Sequence, residues 1–275
     1  MGTAKYLYGL LDGRRVHVSE VASGTVVDSL FGDVKLRAYH GESGRIWHFK
    51  LISGVDPDPW HEGKTQWHID RQNLFPKECQ EVVREDFFGD PAHIADVCVR
   101  NFVVEFQHSY MSPEERRERE LFYQNMFWVV DGDRTKTGYK RFLEDGRKSV
   151  RQITLNGVQV RFVFGPRCVF PYEWVESTVP VFFDFRKQPV WYCLLPGRVD
   201  NAAVCLKMRR DQFVSIVNDN PFEWIQQQKK MMDGLCKWAK AEEKSAFEKM
   251  EIDVGMSYAS MWMSCWSCAA SGQSE

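Results

Sequence analysis

Through residues 1–55, apolar and polar positions alternate or cluster in short runs broken by Gly, Asp and Ser. The runs "RRVHVSEV", "VKLRAY" and "RIWHFKLI" predict β-strands. The Pro/Asp-rich "GVDPDPWHEG" ends this pattern and marks a domain boundary. Beyond it the period changes: "KTQWHIDRQNLF" spaces Trp67, Leu74 and Phe75 at near-helical intervals and stops at Pro76, which predicts a helix. A short strand around Val82 and Val83 follows, then two strands within "IADVCVRNFVVEFQHS". "SPEERRERELFYQNM" opens with Ser112 as an N-cap, Pro113 at the first helical position and acids in the first turn, the signature of a helix. "FWVVDG" reads as a buried strand ending in a turn. The order helix, strand, strand, strand, helix, strand suits an α/β sandwich with a mixed sheet. Farther on the pattern predicts a helix at "YKRFLEDG", strands at "VRQITL", "VQVRFVF", "VPVFFDF" and "VWYCLL", and a long helix over 221–251. The tail "ASMWMSCWSCAASGQSE" has no readable period and is expected to be disordered.

The hairpin breaks its own apolar pattern. With a turn near Arg100 and Asn101, Asp96 and Glu105 come side by side, and Gln107 points to the same face as Glu105. Two carboxylates so close in an apolar sheet cannot both stay ionised without a cation, because each raises the other's pKa. A hard divalent ion held by oxygen ligands and waters would relieve that. The pattern alone also fits a blander arrangement, with Asp96 capping a strand end and Glu105 paired with an arginine on a solvent face.

Composition narrows the classes without choosing a partner. With 44% hydrophobic and 27% charged residues, the 275-residue chain has the make-up of an ordinary globular protein with a real core. Its net charge of −2 supplies no global basic field, which argues against a passive nucleic-acid coat and leaves room for an enzyme with a local basic cleft. No signal-peptide pattern opens the sequence, and no apolar run approaches the roughly 18 residues of a membrane span. The eight cysteines sit mostly singly in apolar runs and read as reduced, buried small hydrophobes, so the expected setting is cytoplasmic.

"HIADVCV", followed by "FVVEFQHSYMSPEERRERELFYQNMFWVVDG", resembles the central block of the CoiA-like competence nucleases, a branch of the PD-(D/E)XK superfamily. Their recurring words have the forms ADV, EFQ-S-S, E-R-x-x-FY and W-V-D. "DPWHEGKTQWHIDRQNLFP" resembles the family's preceding helix, and "LRAYHGESGRIWHFK" its N-terminal β-module. The likeness runs from about residue 28 to 134, and more faintly through "VPVFFDF". The resemblance implies Mg²⁺-dependent hydrolysis of DNA phosphodiesters, with Mn²⁺ as a substitute, in DNA uptake and recombination, repair or defence. It makes Asp96 and Glu105 metal ligands, with the Phe106 carbonyl as a third. Gln107 stands where most of the superfamily has its catalytic lysine, as is usual in this branch. Glu62 and His68 match the acidic residue and the histidine of the preceding helical segment, and Ser109 follows as in EFQ-S.

Several positions depart from the family. Gln66 and Gln72 stand where it often has Glu and Lys, and Lys64 is unusual at its position. Lys64 is therefore a candidate for the missing lysine's role, and His68 for a general base or phosphate contact. Without the family, His68 reads as a half-buried structural histidine beside Trp67. Arg116 or Arg119 in "EERRERE" would face the cleft and meet a phosphate; the plainer reading of that run is a solvated helix face laced with i,i+4 pairs. No zinc is expected. No cysteine precedes Cys79, and "VDSLFGD" stands where relatives often carry a Cys-x-x-Cys ribbon, so strand pairing with Trp47, His48 and Phe49 would hold the module. The pair Cys265 and Cys268 lacks the further ligands of a structural zinc site. "MRRDQ" and "KKMMDGLCKWAKAEEK" offer modest basic patches, the latter read first as a helix packing Met231, Leu235 and Trp238 inward.

The expected organisation is a zinc-less β-module over 1–55, then a restriction-endonuclease-like α/β core over 56–195, its mixed sheet flanked by helices. A C-terminal helical extension with a flexible tail occupies 196–275. DNA is the expected partner, with a second copy of the chain or a recombination or defence protein beside it, and no membrane. The alternative keeps the fold without turnover: a nuclease-fold module that binds DNA or a partner, suggested by the glutamines at 66, 72 and 107.

Overall fold

A computed structural model describes residues 5–32, 34–42, 45–60, 63–85, 92–134, 142, 150–155 and 158–241. The chain forms two compact units, Met1–His108 and Ser109–Glu275.

In the first unit, β1 (Tyr8–Leu11), β2 (Arg14–His17), β3 (Val26–Asp28), β4 (Lys35–Tyr39) and β5 (His48–Leu51) form an antiparallel sheet in the order β2-β1-β3-β4-β5. Alternation is clean in β4, where Leu36 and Ala38 are buried and Lys35, Arg37 and Tyr39 are exposed. Gly9 permits close strand approach, since a Cβ there would lie 2.5 Å from Val27 Cγ2 and 2.9 Å from the Asp28 carbonyl oxygen. Phe49 is buried as expected, but Trp47 is 43% exposed and stacks on His40, while His48 stacks on Tyr39. The core beneath this sheet joins Tyr6, Val16, Leu36 and Phe49 to Ile94, with Val83 packed against it. Residues 1–55 therefore do not close their own core.

The same unit continues with α1 (Gln66–Gln72), whose N-cap Thr65 accepts the His68 N–H. Next come β6 (Gln80–Arg84), β7 (His93–Val99) and β8 (Phe102–Gln107), paired antiparallel in sequence order. Arg100 and Asn101 make the turn between β7 and β8 with φ of 47° and 68°, the left-handed geometry of a two-residue hairpin loop. This fixes the register Val97↔Val104, Cys98↔Val103 and Val99↔Phe102.

The second unit carries β9 (Met126–Asp131), β10 (Val150–Leu155), β11 (Val158–Val163), β12 (Val181–Asp184), β13 (Val190–Leu194) and β14 (Ala203–Arg209) in the order β10-β11-β14-β13-β12-β9. β12 runs parallel to β9 and the other pairs are antiparallel, so the sheet is mixed. Its helices are α2 (Pro113–Tyr123), α3 (Pro166–Val169), α4 (Tyr172–Val175), α5 (Arg210–Asp219) and α6 (Pro221–Ala241). They cover both faces: Phe213 and Trp224 pack on Phe127 and Phe182, whereas Trp174 packs on Trp128 and Phe170 on Phe183. Two-sided burial explains why β9, β12, β13 and β14 read as nearly continuous apolar runs, whereas β10 is largely exposed.

β14 lies mid-sheet although its residues were expected to open a helical extension, and α5 follows it directly. The helix expected at "YKRFLEDG", apart from buried Phe142, lies outside the described residues, as do 242–251 of the long helix and the tail with Cys265 and Cys268. Cys193 and Cys205 are buried, and burial pushes the Cys205 thiol up to about 12; Cys168 is exposed. Among the described residues no helix is long and apolar enough to cross a membrane.

Candidate active site around Asp96

The site is built where the β7–β8 ladder stops. One step beyond Val97↔Val104, Asp96 faces Glu105, and side chains replace backbone acceptors there. The Asp96 N–H donates to Glu105 Oε1 at 3.0 Å, and the Phe106 N–H donates to Asp96 Oδ2 at 2.9 Å. The expected juxtaposition of the two carboxylates is present, and each is anchored by the opposite strand's backbone.

The segment around α1 supplies the cations. Lys64, 1% exposed, donates from Nζ to Asp96 Oδ1 at 2.8 Å, and His68 Nε2 lies 2.8 Å from the same oxygen and 3.2 Å from Nζ. Lys64 and His68 stand four residues apart, which brings them to the same carboxylate. Gln72, one turn beyond His68, donates from Nε2 to the Asp96 carbonyl at 2.7 Å. Gln66 is exposed and bonded to Asp70 instead, so only Gln72 of the two substituted positions belongs to the site.

A third acid completes the cluster. Glu81 of β6 is fully buried, with Oε1 at 3.5 Å from Lys64 Nζ and Oε2 accepting the N–H groups of Leu7 and Tyr8, each at 3.3 Å. Its φ is +44°, a left-handed backbone costly for a side chain of this size, and the paired register passes over it between Gln80↔Val97 and Val82↔Ala95. The Tyr8 hydroxyl also donates to Gln80 Oε1 at 2.9 Å, so the N-terminal sheet is bonded to the strand that bears Glu81. Sequence reasoning missed Glu81. The signal was an acid inside the apolar stretch "QEVV", the same irregularity that singled out Asp96.

Burial alone would raise the Asp96 pKa, but His68 and Lys64 outweigh it and hold the carboxyl far below the usual range. Burial pulls the Lys64 ammonium down, and the carboxylates of Asp96, Glu81 and Glu105 together hold it above its ordinary value. For Glu81 burial wins: its pKa is raised despite Lys64 and the Leu7 N–H. The cation that paired carboxylates require is thus at least partly supplied by the chain itself, as Lys64.

"GVDPDPWHEG", expected as a boundary, is tied into this unit. Asp58 accepts from Trp60 N–H at 3.0 Å and Ile94 N–H at 2.7 Å and lies 2.8 Å from His93 Nδ1, while Trp60 stacks on His93 at 3.5 Å. This clamps the segment ahead of Lys64 to the start of β7.

The remaining expected residues divide. Gln107 is buried on β8, two residues after Glu105, whereas Glu62 lies outside the described residues. Ser109, Arg116 and Arg119 belong to the second unit. Arg116 and Arg119 are buried in i,i+4 pairs with Glu120 and Glu115 while Glu114, Arg117 and Glu118 are exposed, so the i,i+4 pairs of "EERRERE" are present but only part of the run is a solvated face. Arg116, Arg119 and Glu120 turn inward because the chain supplies partners for them there.

Asp96 and Glu105 offer hard oxygen donors from adjacent strands, a set that fits an ion such as Mg²⁺, which commonly binds one or two carboxylates and retains waters. Among the described residues no three His, Cys, Asp or Glu side chains form a metal-binding group. Compared with family models, curated proteins and solved structures, the chain matches none of them.

Proposed function

We propose that the protein is a divalent-metal-dependent nuclease of the CoiA-like, PD-(D/E)XK type that hydrolyses DNA phosphodiesters in the cytoplasm. Its processes would be DNA uptake and recombination, repair or defence, alone, as a homo-oligomer or beside a partner protein. The observation that carries this reading is the buried lysine on Asp96. Lys64, from the segment ahead of α1, stands 2.8 Å from the Asp96 carboxylate, while β8 offers only Gln107 where the superfamily has its lysine. The order α1, β6, β7, β8, α2, β9 also supports it.

In this reading Asp96 and Glu105, with the Phe106 carbonyl, hold Mg²⁺ or Mn²⁺, which supplies Lewis acidity and a bound water of lowered pKa. Lys64 gives a fixed positive charge against the scissile phosphate in a desolvated setting. His68 orients the Asp96 carboxylate and is the group best placed to carry a proton. Glu81 holds Lys64 from the far side, and Gln107 contributes hydrogen bonds without charge.

A second reading, a DNA- or partner-binding module without turnover, is favoured by one observation. Asp96 Oδ1 is already shared by Lys64 and His68, so part of the positive charge a metal would bring is supplied by the chain's own residues.

The test is cleavage of single-stranded, duplex and branched DNA with Mg²⁺ or Mn²⁺. Wild type is expected to cleave, and Asp96→Ala and Glu105→Ala each to lose activity by on the order of 10²-fold or more. DNA bound but left intact by the wild type favours the module; DNA neither bound nor cleaved overturns the nuclease and the DNA-binding module together and leaves only binding of a partner protein.

A further inference from the structure

Lys64 is a buried cation set between two carboxylates. Its Nζ donates to Asp96 Oδ1 at 2.8 Å, while Glu81 Oε1 lies 3.5 Å away on another strand. The first contact is a full hydrogen bond and the second is too long for one. Glu81 Oε1 is itself buried with no hydrogen-bond partner among the described residues, a costly state for a carboxylate oxygen. The other Glu81 oxygen accepts the Leu7 and Tyr8 N–H groups, which hold the carboxylate in place beside the ammonium. The fold thus presents Lys64 with an anchored acceptor to which it is not hydrogen-bonded.

Asp96 is in the opposite state. Lys64 and His68 share its Oδ1, and its Oδ2 accepts the Phe106 N–H, so most of the acceptor capacity of this carboxylate is taken. A divalent ion on the same carboxylate would also meet the charge of the lysine ammonium, and like charges repel strongly where little water screens them.

We propose that Lys64 is a counter-ion exchanged on metal binding: it neutralises Asp96 while no metal is held, and passes to Glu81 Oε1 when a divalent cation takes the Asp96 carboxylate. The inference rests on the metal reading of the Asp96 site, and it adds that two residues outside the ligand set tune metal affinity. The move brings one contact from 3.5 Å to hydrogen-bond length and releases another, a small displacement for a flexible lysine stem. Only hydrogen bonds are exchanged. The ammonium stays inside the cluster, so its charge remains available to a phosphate.

The test is calorimetric titration of the full-length protein with MnCl₂, in metal-free buffer and without DNA. Wild type is expected to bind Mn²⁺ at a site that Asp96→Ala removes. Lys64→Met is expected to bind it about tenfold more tightly or better, although cleavage is lost. Lys64→Gln, which keeps a polar side chain in the pocket should the methionine variant fail to fold, is expected to do the same. Glu81→Gln removes the charge that receives the ammonium and is expected to bind Mn²⁺ about tenfold more weakly; that loss is expected to vanish once Lys64 is replaced as well. In crystals grown with Mn²⁺, Nζ is expected within hydrogen-bond distance of Glu81 Oε1 and off Asp96. Mn²⁺ binding that Asp96→Ala abolishes but neither Lys64 variant tightens would overturn the exchange and leave the metal site standing. So would a Glu81→Gln loss that persists without Lys64, or Nζ still on Asp96 beside a bound ion. No Mn²⁺ binding at millimolar concentration by wild type or either Lys64 variant would overturn the exchange and the metal reading together.

Discussion

Each unit buries a carboxylate against a cation, and the two clusters are finished differently. Glu120 in the second unit is saturated. Its Oε1 accepts from Arg116 at 2.6 Å, Trp128 Nε1 at 3.1 Å and the Ser177 hydroxyl at 2.7 Å, and its Oε2 accepts from the Thr178 N–H at 3.0 Å and hydroxyl at 2.7 Å. In the first unit Asp96 is well bonded, but its surroundings are not. Glu81 Oε1 and Gln72 Oε1 have no hydrogen-bond partner among the described residues, and Glu81 holds a left-handed backbone. Arg116 Nε beside Glu120 is also without a hydrogen-bond partner among the described residues, so the difference lies in the acceptors and the backbone: the Glu120 carboxylate is fully used, whereas the Asp96 cluster keeps unused acceptors and a strained residue. That contrast is why the Asp96 cluster, and not the Glu120 cluster, is the candidate for chemistry.

The contrast breaks first at Glu120. Glu120→Ala is expected to cost about 3–5 kcal/mol, because it strands Arg116, the Trp128 indole N–H and the Thr178 N–H and hydroxyl, while the Ser177 hydroxyl keeps the Val179 carbonyl; urea unfolding would read it. Lys64→Met is expected to cost less, about 1–3 kcal/mol, since His68 still faces Asp96, and to abolish DNA cleavage. Equal losses of stability from the two substitutions would make both clusters structural.

Glu81→Gln separates stability from function. The amide keeps an acceptor for the Leu7 and Tyr8 N–H groups, so stability at neutral pH is expected to match or exceed wild type within about 0.5 kcal/mol, while cleavage falls. The sign of its pH dependence follows from burial, which raises the Glu81 pKa from its ordinary 4.5. The wild-type contribution is present below 4.5 and lost as pH rises through the folded value, so any advantage of Glu81→Gln shrinks as the solution is acidified toward 4.5.

The smallest effect is expected at His17. Burial, with Lys77 nearby, lowers its pKa from 6.5 to about 4, and its Nδ1 accepts the Ser19 N–H. A depressed histidine contributes stability above 6.5 that is lost as pH falls toward 4. His17→Asn, which retains a capping oxygen, is expected to flatten that stretch of the stability profile.

How much was legible in the sequence differs between the clusters for a physical reason. The β7–β8 hairpin was readable because alternation and a turn-compatible Asn101 act over a few residues, and with them came the pairing of Asp96 and Glu105. Lys64 and His68 were nameable only through the resemblance of their segment to the nuclease family, since without it His68 reads as a structural histidine beside Trp67. The inward face of α2 was not readable, since the groups that satisfy Glu120, Ser177 and Thr178, come from 57 and 58 residues farther along. Glu81 was missed for a similar reason: its place depends on one left-handed residue and on a strand from the start of the chain. β14 was missed as well, because a short apolar run buried on both faces carries no period that separates strand from helix.

Ile94 in the core of the N-terminal sheet has a consequence for the order of events during synthesis. The strands β1 to β5 emerge from the ribosome before β7, and the apolar layer beneath them lacks one of its residues until the start of β7 has followed. The residue that closes that layer lies two positions before Asp96 on the same strand. The same strand therefore serves both the core of the N-terminal sheet and the carboxylate site, and a nascent chain halted before β7 would lack Ile94 and Asp96 together.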